Sequence, residues 1–389
     1  MKNVLLRGPF LTLSGYGVHS RQIARWALGK KDWNVTFQVT PWGMTPWYLN
    51  EDSESGLIGE IMNRTSALNN IPPKYFDLTV QVQLPNEWDA NLGKVNVGVS
   101  AVVETDRCNP MWLQDCNKMS KVIVPSTFTK RVLENTGQIN TPVEVVPESY
   151  YDELLDDSIE PLAHDFSTDF NFLVFGQLTG NNPENDRKNL FYTVKWLCEE
   201  FKDNPDVGII LKTNSGKATK IDRLVTQKFV RDLIKNVRQG PFPKIHMLHG
   251  KMTNSDMVSL YKNKTVKALV SLTRGEGYGL PILEAAVAGV PVIATNWSGH
   301  IDFLRKGKFI PVDYNMTNIH PSRIDNQIFM QGARWANPVE KDAKRKIKKF
   351  YQKPNTPKKW AEDLSKKLKE SLSQDKIESL YDLHIGQLL

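Results

Sequence analysis

The stretch Ser271-Leu-Thr-Arg-Gly-Glu-Gly-Tyr-Gly-Leu-Pro-Ile-Leu-Glu284 decides the fold of this 389-residue chain. It continues a short apolar run over residues 266–272, which predicts a buried strand. Glycines then stand at the alternate positions 275, 277 and 279. This spacing favours a loop whose backbone turns sharply and lets a ligand come close. We therefore expect a ligand-binding loop directly after a strand.

A helix is predicted to follow this loop. Pro281 suits the first helical position, where its missing N–H costs nothing, and Gly289 is a natural end for the helix. The apolar run over 290–295 predicts the next buried strand, which completes the alternation typical of an α/β domain. Because free N–H groups and the helix dipole favour negative charge, the loop and the helix start together predict an anion site.

Two carboxylates, Glu276 and Glu284, stand in this predicted anion site. A site for phosphate alone would not use them, but a ligand with phosphates and several hydroxyls would. Carboxylates accept hydrogen bonds from hydroxyls, while backbone N–H groups bind the phosphates. The alternative interpretation is a surface loop with a solvated pair of glutamates, which would make the alignment of glycines, proline and acids a coincidence.

The pair Glu276 and Glu284 also has the spacing of the E-x7-E motif of retaining GT-B glycosyltransferases. The stretch 274–285 resembles glycosyltransferase family 4, and 294–303 is similar to that family's next strand and loop. The resemblance implies an α/β fold of the GT-B type, with two Rossmann-like domains facing across a cleft. It also implies that Glu276 binds donor-sugar hydroxyls and that Glu284 binds the nucleotide ribose. The other donor contacts implied on this loop are Arg274, Gly275, Gly277, Tyr278, Gly279 and Leu280.

A second glycine loop lies near the start of the chain, before a helix predicted over 18–28. Its pattern Gly15-x-Gly17-x-x-Ser20 approaches a dinucleotide-binding fingerprint. That fingerprint requires an acidic residue after the second strand. The strand predicted over 35–39 is followed instead by Thr40-Pro41, so no nicotinamide cofactor is expected. The family resemblance implies instead that the loop faces the donor phosphate through Gly15, Tyr16 and Gly17.

The acceptor side is predicted in this same N-terminal half. His19 stands at the helix start and is either an acceptor-side residue or a plain surface histidine. Glu104-Thr-Asp106 follows a strand predicted over 95–103 and permits two interpretations. One is the metal-binding acid-x-acid motif of GT-A enzymes, and the other is the acceptor-facing end of a GT-B strand. The second fits better, because the donor motif lies far downstream, so we expect Glu104 and Asp106 beside the acceptor and no metal.

Cations for a donor diphosphate are predicted in the second half of the chain. The resemblance implies that Arg187 or Lys188 binds the donor phosphates. Many family members also carry an arginine at the position of Gln177, so Lys212, after a strand predicted over 207–211, is the substitute candidate. Cations at strand ends beside a topological switch point are where a diphosphate needs them. With Glu276, these three cations form the predicted catalytic set, and the alternative for each cation is a solvated surface charge.

An irregular segment is predicted over 41–75, and its length suggests an insertion near a binding site. Its aromatic residues either form a platform for the acceptor or pack locally within the loop. They are Trp42, Trp47 and Tyr48.

The sequence predicts three parts. They are an acceptor-side domain over 1–160, a nucleotide-sugar domain over 161–345 and a C-terminal helical segment over 346–389 that crosses back to the first domain. The segment 341–369 is strongly basic and is interrupted by prolines at positions 354 and 357. Such a run is usually a solvated helix face, and a patch for nucleic acid or membrane is the alternative.

The composition is that of a globular protein, with 40% hydrophobic and 24% charged residues. No apolar run is long enough for a membrane span, the N-terminus does not read as a signal peptide, and the three cysteines fit no zinc or disulfide spacing. We expect a cytoplasmic protein, with peripheral membrane contact as a further expectation. The net charge of +7 weakly favours an acidic ligand, a membrane surface or nucleic acid.

The predicted function is retaining transfer of a sugar from a nucleotide-diphosphate-sugar to a hydroxyl of a saccharide or lipid-linked acceptor, without a cofactor. An alternative acceptor is a hydroxylated base of DNA, for which nucleic acid would be the partner. Two further alternatives are a GT-B-like nucleotide-sugar epimerase and a non-catalytic sugar-nucleotide-binding protein.

Overall fold

The computed structural model describes residues 1–68, 71–176, 182–214, 216 and 218–389. The chain forms two compact units. The first unit comprises Met1–Ser149, Asn326–Met330 and Gln374–Leu389, and the second comprises Tyr150–Asp325 and Gln331–Ser373. The acid-rich segment 150–169 thus belongs to the second unit.

One parallel sheet forms the framework of the first unit. Its strands are β1 (Lys2–Gly8), β2 (Trp33–Val39), β3 (Phe76–Val82), β4 (Gly93–Val99), β5 (Lys121–Val124) and β6 (Val143–Val145). They lie in the order β2-β1-β3-β4-β5-β6, so the winding direction reverses between β1 and β3. The glycine loop that the sequence singles out follows β1. It therefore lies at the carboxyl end of a strand beside a switch point, where ligands bind in open parallel sheets.

A second parallel sheet forms the framework of the second unit. Its strands are β7 (Phe170–Phe175), β8 (Val207–Thr213), β9 (Lys244–His249), β10 (Val266–Ser271), β11 (Val292–Thr295) and β12 (Ile310–Val312), followed in sequence by an antiparallel pair, β13 (Tyr314–Asn318) and β14 (Arg334–Pro338). The order is β9-β8-β7-β10-β11-β12. Counted from its own first strand, this is the 3-2-1-4-5-6 order of dinucleotide-binding folds, with the switch point between β7 and β10.

Helices connect these strands. They are α1 (Gly15–Leu28), α2 (Leu57–Asn63), α3 (Met111–Cys116), α4 (Thr127–Thr136), α5 (Leu190–Glu200), α6 (Lys220–Val237), α7 (Asn254–Lys262), α8 (Leu280–Val287), α9 (Ile301–Leu304), α10 (Glu340–Gln352), α11 (Asn355–Ser371) and α12 (Gln374–His384). The strand and helix alternation confirms the α/β prediction. It follows from apolar runs that are buried as parallel strands and amphipathic runs that pack on them.

The core of the second unit joins its sheet to α5 and α10. Phe172, Ile209 and Val270 of the sheet are fully buried in one apolar cluster with Leu190 and Leu197 of α5. Fully burying a side chain of this size stabilises the fold by about 1.5–3 kcal/mol. Ile347 and Phe350 of α10 belong to the same cluster. This packing fixes the carboxyl ends of the strands, and with them the loops that carry the candidate site.

The structure corrects several predicted boundaries. The strand predicted over 95–103 ends at Val99, and the segment 41–75 contains α2, whose Leu57, Ile58 and Ile61 are buried. Pro357 does not break the basic segment, because it lies in the first turn of α11, where proline is tolerated. Lys353 and Pro354 separate α10 from α11.

The basic residues of α10 are largely ion-paired. Lys344 pairs with Glu199 and Glu340 at 2.5 Å, and Lys348 pairs with Glu200 at 2.9 Å. Lys346 and Arg345 also pair with acidic residues of their own helix. These pairs neutralise part of the positive charge of the segment 341–369, on α10.

Candidate active site

The candidate site lies at the switch point of the second sheet. β7 and β10 are neighbours in this sheet and pair in parallel, with Leu269 of β10 opposite Leu173 of β7. The loop after β10 carries Glu276, and the segment after β7 carries Arg187 and Lys188. Because carboxyl ends of parallel strands meet at one edge, the fold brings together residues that are distant in sequence.

Glu276 is held between these two cations. Its Oε1 lies 2.6 Å from Lys188 Nζ, and its Oε2 lies 3.2 Å from Arg187. The side chain of Glu276 is 9% exposed. Burial opposes ionisation, but the charges of Lys188 and Arg187 and the hydrogen bond from Lys188 outweigh it and lower the pKa of Glu276 to about 2. Glu276 is therefore an ionised acceptor of hydrogen bonds at neutral pH.

Backbone contacts hold the Glu276 loop against the segment after β11. The N–H of Glu276 donates to Ser298 Oγ at 2.9 Å, and the N–H of Gly299 donates to the carbonyl of Glu276 at 2.9 Å. A Cβ on Gly299 would lie 2.0 Å from the carbonyl oxygen of Gly277, so only glycine permits this approach. Gly279 has φ +103° and precedes α8, a conformation that side chains disfavour. The loop is thus fixed by local backbone chemistry.

Asp186 positions the cation segment. Its Oδ1 accepts from the N–H of Lys188 at 2.9 Å, and its Oδ2 accepts from the N–H of Leu190 at 2.7 Å. This carboxylate therefore caps the start of α5 and orders the backbone that carries Lys188. The carbonyl of Arg187 accepts from the N–H of Arg274 at 2.8 Å, which joins this segment to the Glu276 loop. Arg187 also donates to the carbonyl of Gly275 at 2.6 Å.

Arg274 has internal partners and is 1% exposed. Its guanidinium donates to the carbonyls of Pro183 and Glu184 at 3.0 and 2.8 Å. It also contacts Asn337 Oδ1 at 3.2 Å and stacks on the ring of Trp335 at 5.3 Å, both on β14. The sequence-based prediction made Arg274 a donor contact. In the structure its charge is directed into the protein, where it joins the two site segments to the hairpin of β13 and β14.

Glu284 has a different environment, in α8. Its Oε2 accepts from the hydroxyl of Tyr261 at 3.1 Å. Burial disfavours the charged form and raises the pKa of Glu284 to about 8, although the Tyr261 hydrogen bond lowers it in part. Among the residues that the structure describes, no cation contributes to this shift. A ligand that supplies hydroxyl donors would relieve this unfavourable ionisation.

The remaining predicted donor contacts of the second unit line the same loop and helix start. Tyr278 is buried, with its ring 5.2 Å from that of Phe303 in an edge-on arrangement, so its side chain belongs to the core. Leu280 is half-buried and begins α8. The N-cap of α8 is Gly279, which makes no side-chain capping hydrogen bond.

Lys212 lies at the end of β8, one strand further from the switch point than β7. Its Nζ donates to the carbonyl of Gly250 at 2.5 Å, and burial lowers its pKa. The structure thus places Lys212 at the same edge of the sheet as Lys188. Gln177, the position that raised the question of a substitute cation, lies outside the described residues.

The glycine loop of the first unit forms the start of α1. Ser14 caps this helix by accepting from the N–H of Gly17 at 2.9 Å. A Cβ at Gly17 would lie 2.2 Å from the carbonyl oxygen of Thr12, whereas Gly15 is exposed and has open space around it. The hydroxyl of Tyr16 contacts Ser100 Oγ at 2.9 Å, and its ring stacks on Trp42 at 3.9 Å. Tyr16 therefore joins the loop to the insertion that follows β2.

The insertion is anchored to α1. Glu54 pairs with Arg21 and Arg25 at 2.6 Å, and Arg21 lies 4.9 Å from the ring of Tyr48. Trp47 forms an antiparallel bridge with Thr12 and stays 40% exposed. Of the three aromatics, Tyr48 thus packs locally, whereas Trp42 stacks beside the glycine loop.

The predicted acceptor-side residues fall into two groups. His19 is 3% exposed, its Nε2 lies 3.1 Å from the hydroxyl of Tyr381 on α12, and burial lowers its pKa to about 4. It is therefore neutral and not a surface histidine. Glu104 and Asp106 are half-buried in the loop after β4, and Asp106 lies 3.8 Å from Arg107. The described residues contain no group of three or more His, Cys, Asp or Glu side chains arranged to hold a metal ion.

Three supporting residues were not predicted from the sequence. Asp186 carries a recognisable signal, an acidic residue shortly before a helix. Ser298 lies within the stretch 294–303, whose sequence is similar to that of the family, although no role was predicted for this serine. Tyr261 comes from α7 and meets Glu284 only through the fold, so no local pattern would have identified it.

Comparisons with known proteins agree with this architecture. Residues 227–367 match the family model described as glycosyl transferases group 1. The match covers less than half of the chain and includes Glu276 and Glu284, but not Arg187 or Lys188. No curated protein matches the sequence.

Solved structures resemble the chain over most of its length. Sucrose-phosphate synthase from Thermosynechococcus elongatus has a TM-score of 0.65 and 13% identity, covering 100% of this chain and 99% of that one. Anabaena Alr3699/HepE, solved with UDP-glucose, has a TM-score of 0.61 and 11% identity, covering 100% of both chains. The pneumococcal O-GlcNAc transferase GtfA, solved with UDP and GlcNAc, has a TM-score of 0.50 and 14% identity, covering 80% of this chain. The present chain spans 56% of that protein. These likenesses show an α/β fold of the GT-B type with two Rossmann-like domains.

Proposed function

We propose that this protein is a glycosyltransferase that moves a sugar from a nucleotide-diphosphate-sugar to a hydroxyl group, with retention of the anomeric configuration. The observation that carries the proposal is the arrangement of two carboxylates around one glycine loop and helix start. Glu276 is ionised between Lys188 and Arg187, while Glu284 is buried beside Tyr261 and no cation of the described residues shifts its pKa. The match to glycosyl transferases group 1 over this same region supports the assignment.

The cations of this site suit a diphosphate leaving group. Negative charge grows on the nucleoside diphosphate as its bond to the sugar breaks, and Lys188, Arg187 and the N-terminus of α8 would stabilise that charge. Glu276 holds both cations in place and has lone pairs left for sugar hydroxyls. Glu284 would accept from the ribose hydroxyls. Lys212 is a further candidate for the phosphates.

Retention is proposed to arise by attack from the leaving-group side. The acceptor oxygen forms its bond to the anomeric carbon as the bond from that carbon to the diphosphate breaks, and a phosphate oxygen takes the acceptor proton. This route requires no side chain as nucleophile. It also requires no metal ion, because the two cations and the helix dipole supply the positive charge.

The acceptor is proposed to be a saccharide or a lipid-linked glycan. The stacked Tyr16 and Trp42 support this choice, since aromatic faces beside a glycine loop suit the apolar face of a sugar ring. Glu104 and Asp106, in the loop after β4, would accept hydrogen bonds from acceptor hydroxyls.

The experiment that tests the proposal is a panel of UDP-, GDP- and ADP-sugars, scored first by thermal shift and then by product analysis. A bound donor raises the melting temperature, because binding adds RT ln(1 + [L]/Kd) to the free energy of unfolding. Transfer to a hydroxyl acceptor, with the anomeric configuration of the product read by NMR, is the expected result. An inverted product would reject retention alone, and no binding of any nucleotide-sugar would reject the donor class.

Two rival functions give different outcomes in this panel. A nucleotide-sugar epimerase would convert the donor alone to its epimer, with no acceptor present. A non-catalytic binding protein would show the thermal shift with neither transfer nor donor hydrolysis above background. Release of free nucleotide that depends on an added acceptor distinguishes the proposed transferase from both.

A further inference from the structure

Helix α6 presents an apolar stripe to solvent. It buries Thr226, Val230, Leu233 and Val237 against the second unit. On its other side, Ile221, Leu224, Val225 and Phe229 are exposed by 73%, 65%, 46% and 41% of their surface. Their spacing puts them on one face of the first half of the helix. This helix thus carries several of the large hydrophobic side chains that the described part of the chain exposes.

Basic residues accompany this stripe. All five lysines and arginines of α6 are exposed, namely Lys220, Arg223, Lys228, Arg231 and Lys235. The helix has only two acids, and Asp222 is engaged by Thr219 in a capping box. The second acid, Asp232, is exposed beside Val225 and Phe229, and the helix keeps a net charge of +3. Net positive charge therefore flanks exposed apolar side chains, which is the pattern of helices that lie in the interface of anionic membranes.

We propose that α6 docks this protein on an anionic lipid bilayer. The side chains of Ile221, Leu224, Val225 and Phe229 enter the boundary between headgroups and acyl chains, and the lysines and arginines bind lipid phosphates. The helix lies on the bilayer, since no helix in the described parts of the chain is long and apolar enough to cross one.

Charge decides between this occupant and a second copy of the chain. Two α6 helices packed face to face would bring two surfaces of net charge +3 together, which is unfavourable. An anionic bilayer has the complementary charge and accepts apolar side chains at the same depth. Helix α11 gives a contrast, since four of its five lysines are exposed but it exposes no large hydrophobic side chain.

The test is sedimentation of the full-length protein with vesicles of phosphatidylcholine alone and of phosphatidylcholine mixed with phosphatidylglycerol. We expect binding to the mixed vesicles that weakens as salt is added. The triple variant Ile221→Gln/Leu224→Gln/Phe229→Gln should lose it by roughly 100-fold in partition coefficient. The variant Lys228→Gln/Arg231→Gln/Lys235→Gln should lose it by a similar factor, at about fivefold per basic residue near the surface. All six side chains are exposed, so both variants should fold, which circular dichroism would verify.

The matched control is Lys359→Gln/Lys366→Gln/Lys367→Gln, which removes three exposed charges from α11. It should bind the mixed vesicles within about twofold of wild type if apolar insertion at α6 is required. Failure of the wild-type protein to bind mixed vesicles would overturn the proposal, as would equal loss in the α11 control. Dimerisation that the Ile221/Leu224/Phe229 variant abolishes, without vesicle binding, would assign the stripe to a second copy instead.

Discussion

The glycine loop and the helix α8 that follows it each carry a carboxyl group, and the pKa values of these two groups are shifted in opposite directions. Glu276 lies between Lys188 and Arg187, and their charges lower its pKa to about 2. Glu284, on the helix that follows, has a tyrosine as its partner, and burial raises its pKa to about 8. Environments that separate the pKa values of two carboxylates give them separate roles. At neutral pH, Glu276 is therefore ionised, whereas Glu284 holds its proton.

The contrast has opposite consequences for stability. The pKa of Glu276 is below its ordinary value of 4.5, so its contribution to the free energy of unfolding is present above pH 4.5 and is lost as the pH falls toward 2. The pKa of Glu284 is above 4.5, so the folded state binds its proton more tightly than the unfolded state. Stability from Glu284 is therefore full below pH 4.5 and is lost as the pH rises toward 8.

The largest effect is expected at the charged end, from Lys188→Met. The change removes the closer cation of Glu276 and one cation from the leaving diphosphate. Turnover should fall by roughly 100- to 1,000-fold, as when one charge-stabilising donor is removed. The free energy of unfolding should fall by about 3 kcal/mol, as when a buried ion pair loses one partner. Transfer assays and thermal unfolding measure the two effects.

Lys195→Met is the matched control for Lys188→Met. It breaks an ion pair of 2.5 Å with Glu199 within a single turn of helix. We expect a loss of only about 0.5 kcal/mol and unchanged turnover. If Lys188→Met behaved like this control, the charged end of the motif would have no catalytic role.

The next effect separates the two ends by binding. Above pH 8, where Glu284 is ionised, Glu284→Ala should lose about 1.5–3 kcal/mol of affinity for the free nucleotide, the worth of a hydrogen bond to a charged group. Glu276→Ala should retain that affinity and lose turnover, because its proposed contacts are to the sugar. Isothermal titration with nucleotide, beside the transfer assay, checks both. Equal loss of nucleotide affinity in the two variants would mean that the roles are misassigned.

Arg274→Lys tests how the charged end is assembled. Lysine cannot reach the carbonyls of Pro183 and Glu184 and the Asn337 side chain together, so the free energy of unfolding should fall by about 2 kcal/mol. Since Arg274 acts by positioning Lys188, kcat should fall by about tenfold while the nucleotide affinity that depends on Glu284 stays near wild type. Arg305→Lys, at an exposed arginine, is the control. A loss confined to nucleotide affinity would make Arg274 a donor contact after all.

Glu284→Gln tests the uncharged end through pH. The diphosphate of a nucleotide-sugar does not titrate between pH 6 and 8, so its affinity for the wild type should rise by up to about tenfold per pH unit as Glu284 ionises, and then level off. The Gln variant should show a flat profile. Relative to wild type, the free energy of unfolding of this variant should increase as pH rises toward 8, because only the wild type loses stability from Glu284. Parallel pH profiles for wild type and variant would show that the pKa of Glu284 is not raised.

The smallest effect is expected from metal removal. If Lys188, Arg187 and the α8 N-terminus supply the positive charge at the Glu276 end, a chelator should leave transfer unchanged. Transfer assays with the chelator, and with manganese added back, check this. Activity that a chelator abolishes and manganese restores would mean that Glu104-Thr-Asp106 or another set of acids holds a catalytic metal.

Local sequence chemistry predicted much of the fold. The helix predicted from Pro281 to the residue before Gly289 is observed as Leu280–Val287, and the apolar run after Gly289 forms β11. Proline at a helix start, a glycine with positive φ and apolar strand runs each act through a few neighbouring residues. Their effects can therefore be predicted from the sequence alone. The site residues whose types and spacing identify them, Glu276 and Glu284, came from the same local pattern.

Other features were decided by tertiary structure. His19 is buried because α12, from the far end of the chain, covers it and supplies Tyr381. Arg274 turns inward because Trp335 and Asn337 of β14 lie beside it. Neither partner is near in sequence, so no local pattern indicates them.

The sequence by itself determined that two glutamates stand around a glycine loop at a helix start, because backbone preferences act over a few residues. Only the tertiary structure decided that one is ionised and the other holds its proton. That difference depends on which groups the fold brings close, the cations after β7 for Glu276 and Tyr261 of α7 for Glu284. Desolvation and charge act through space, and the chain's folding, not its order, sets those distances.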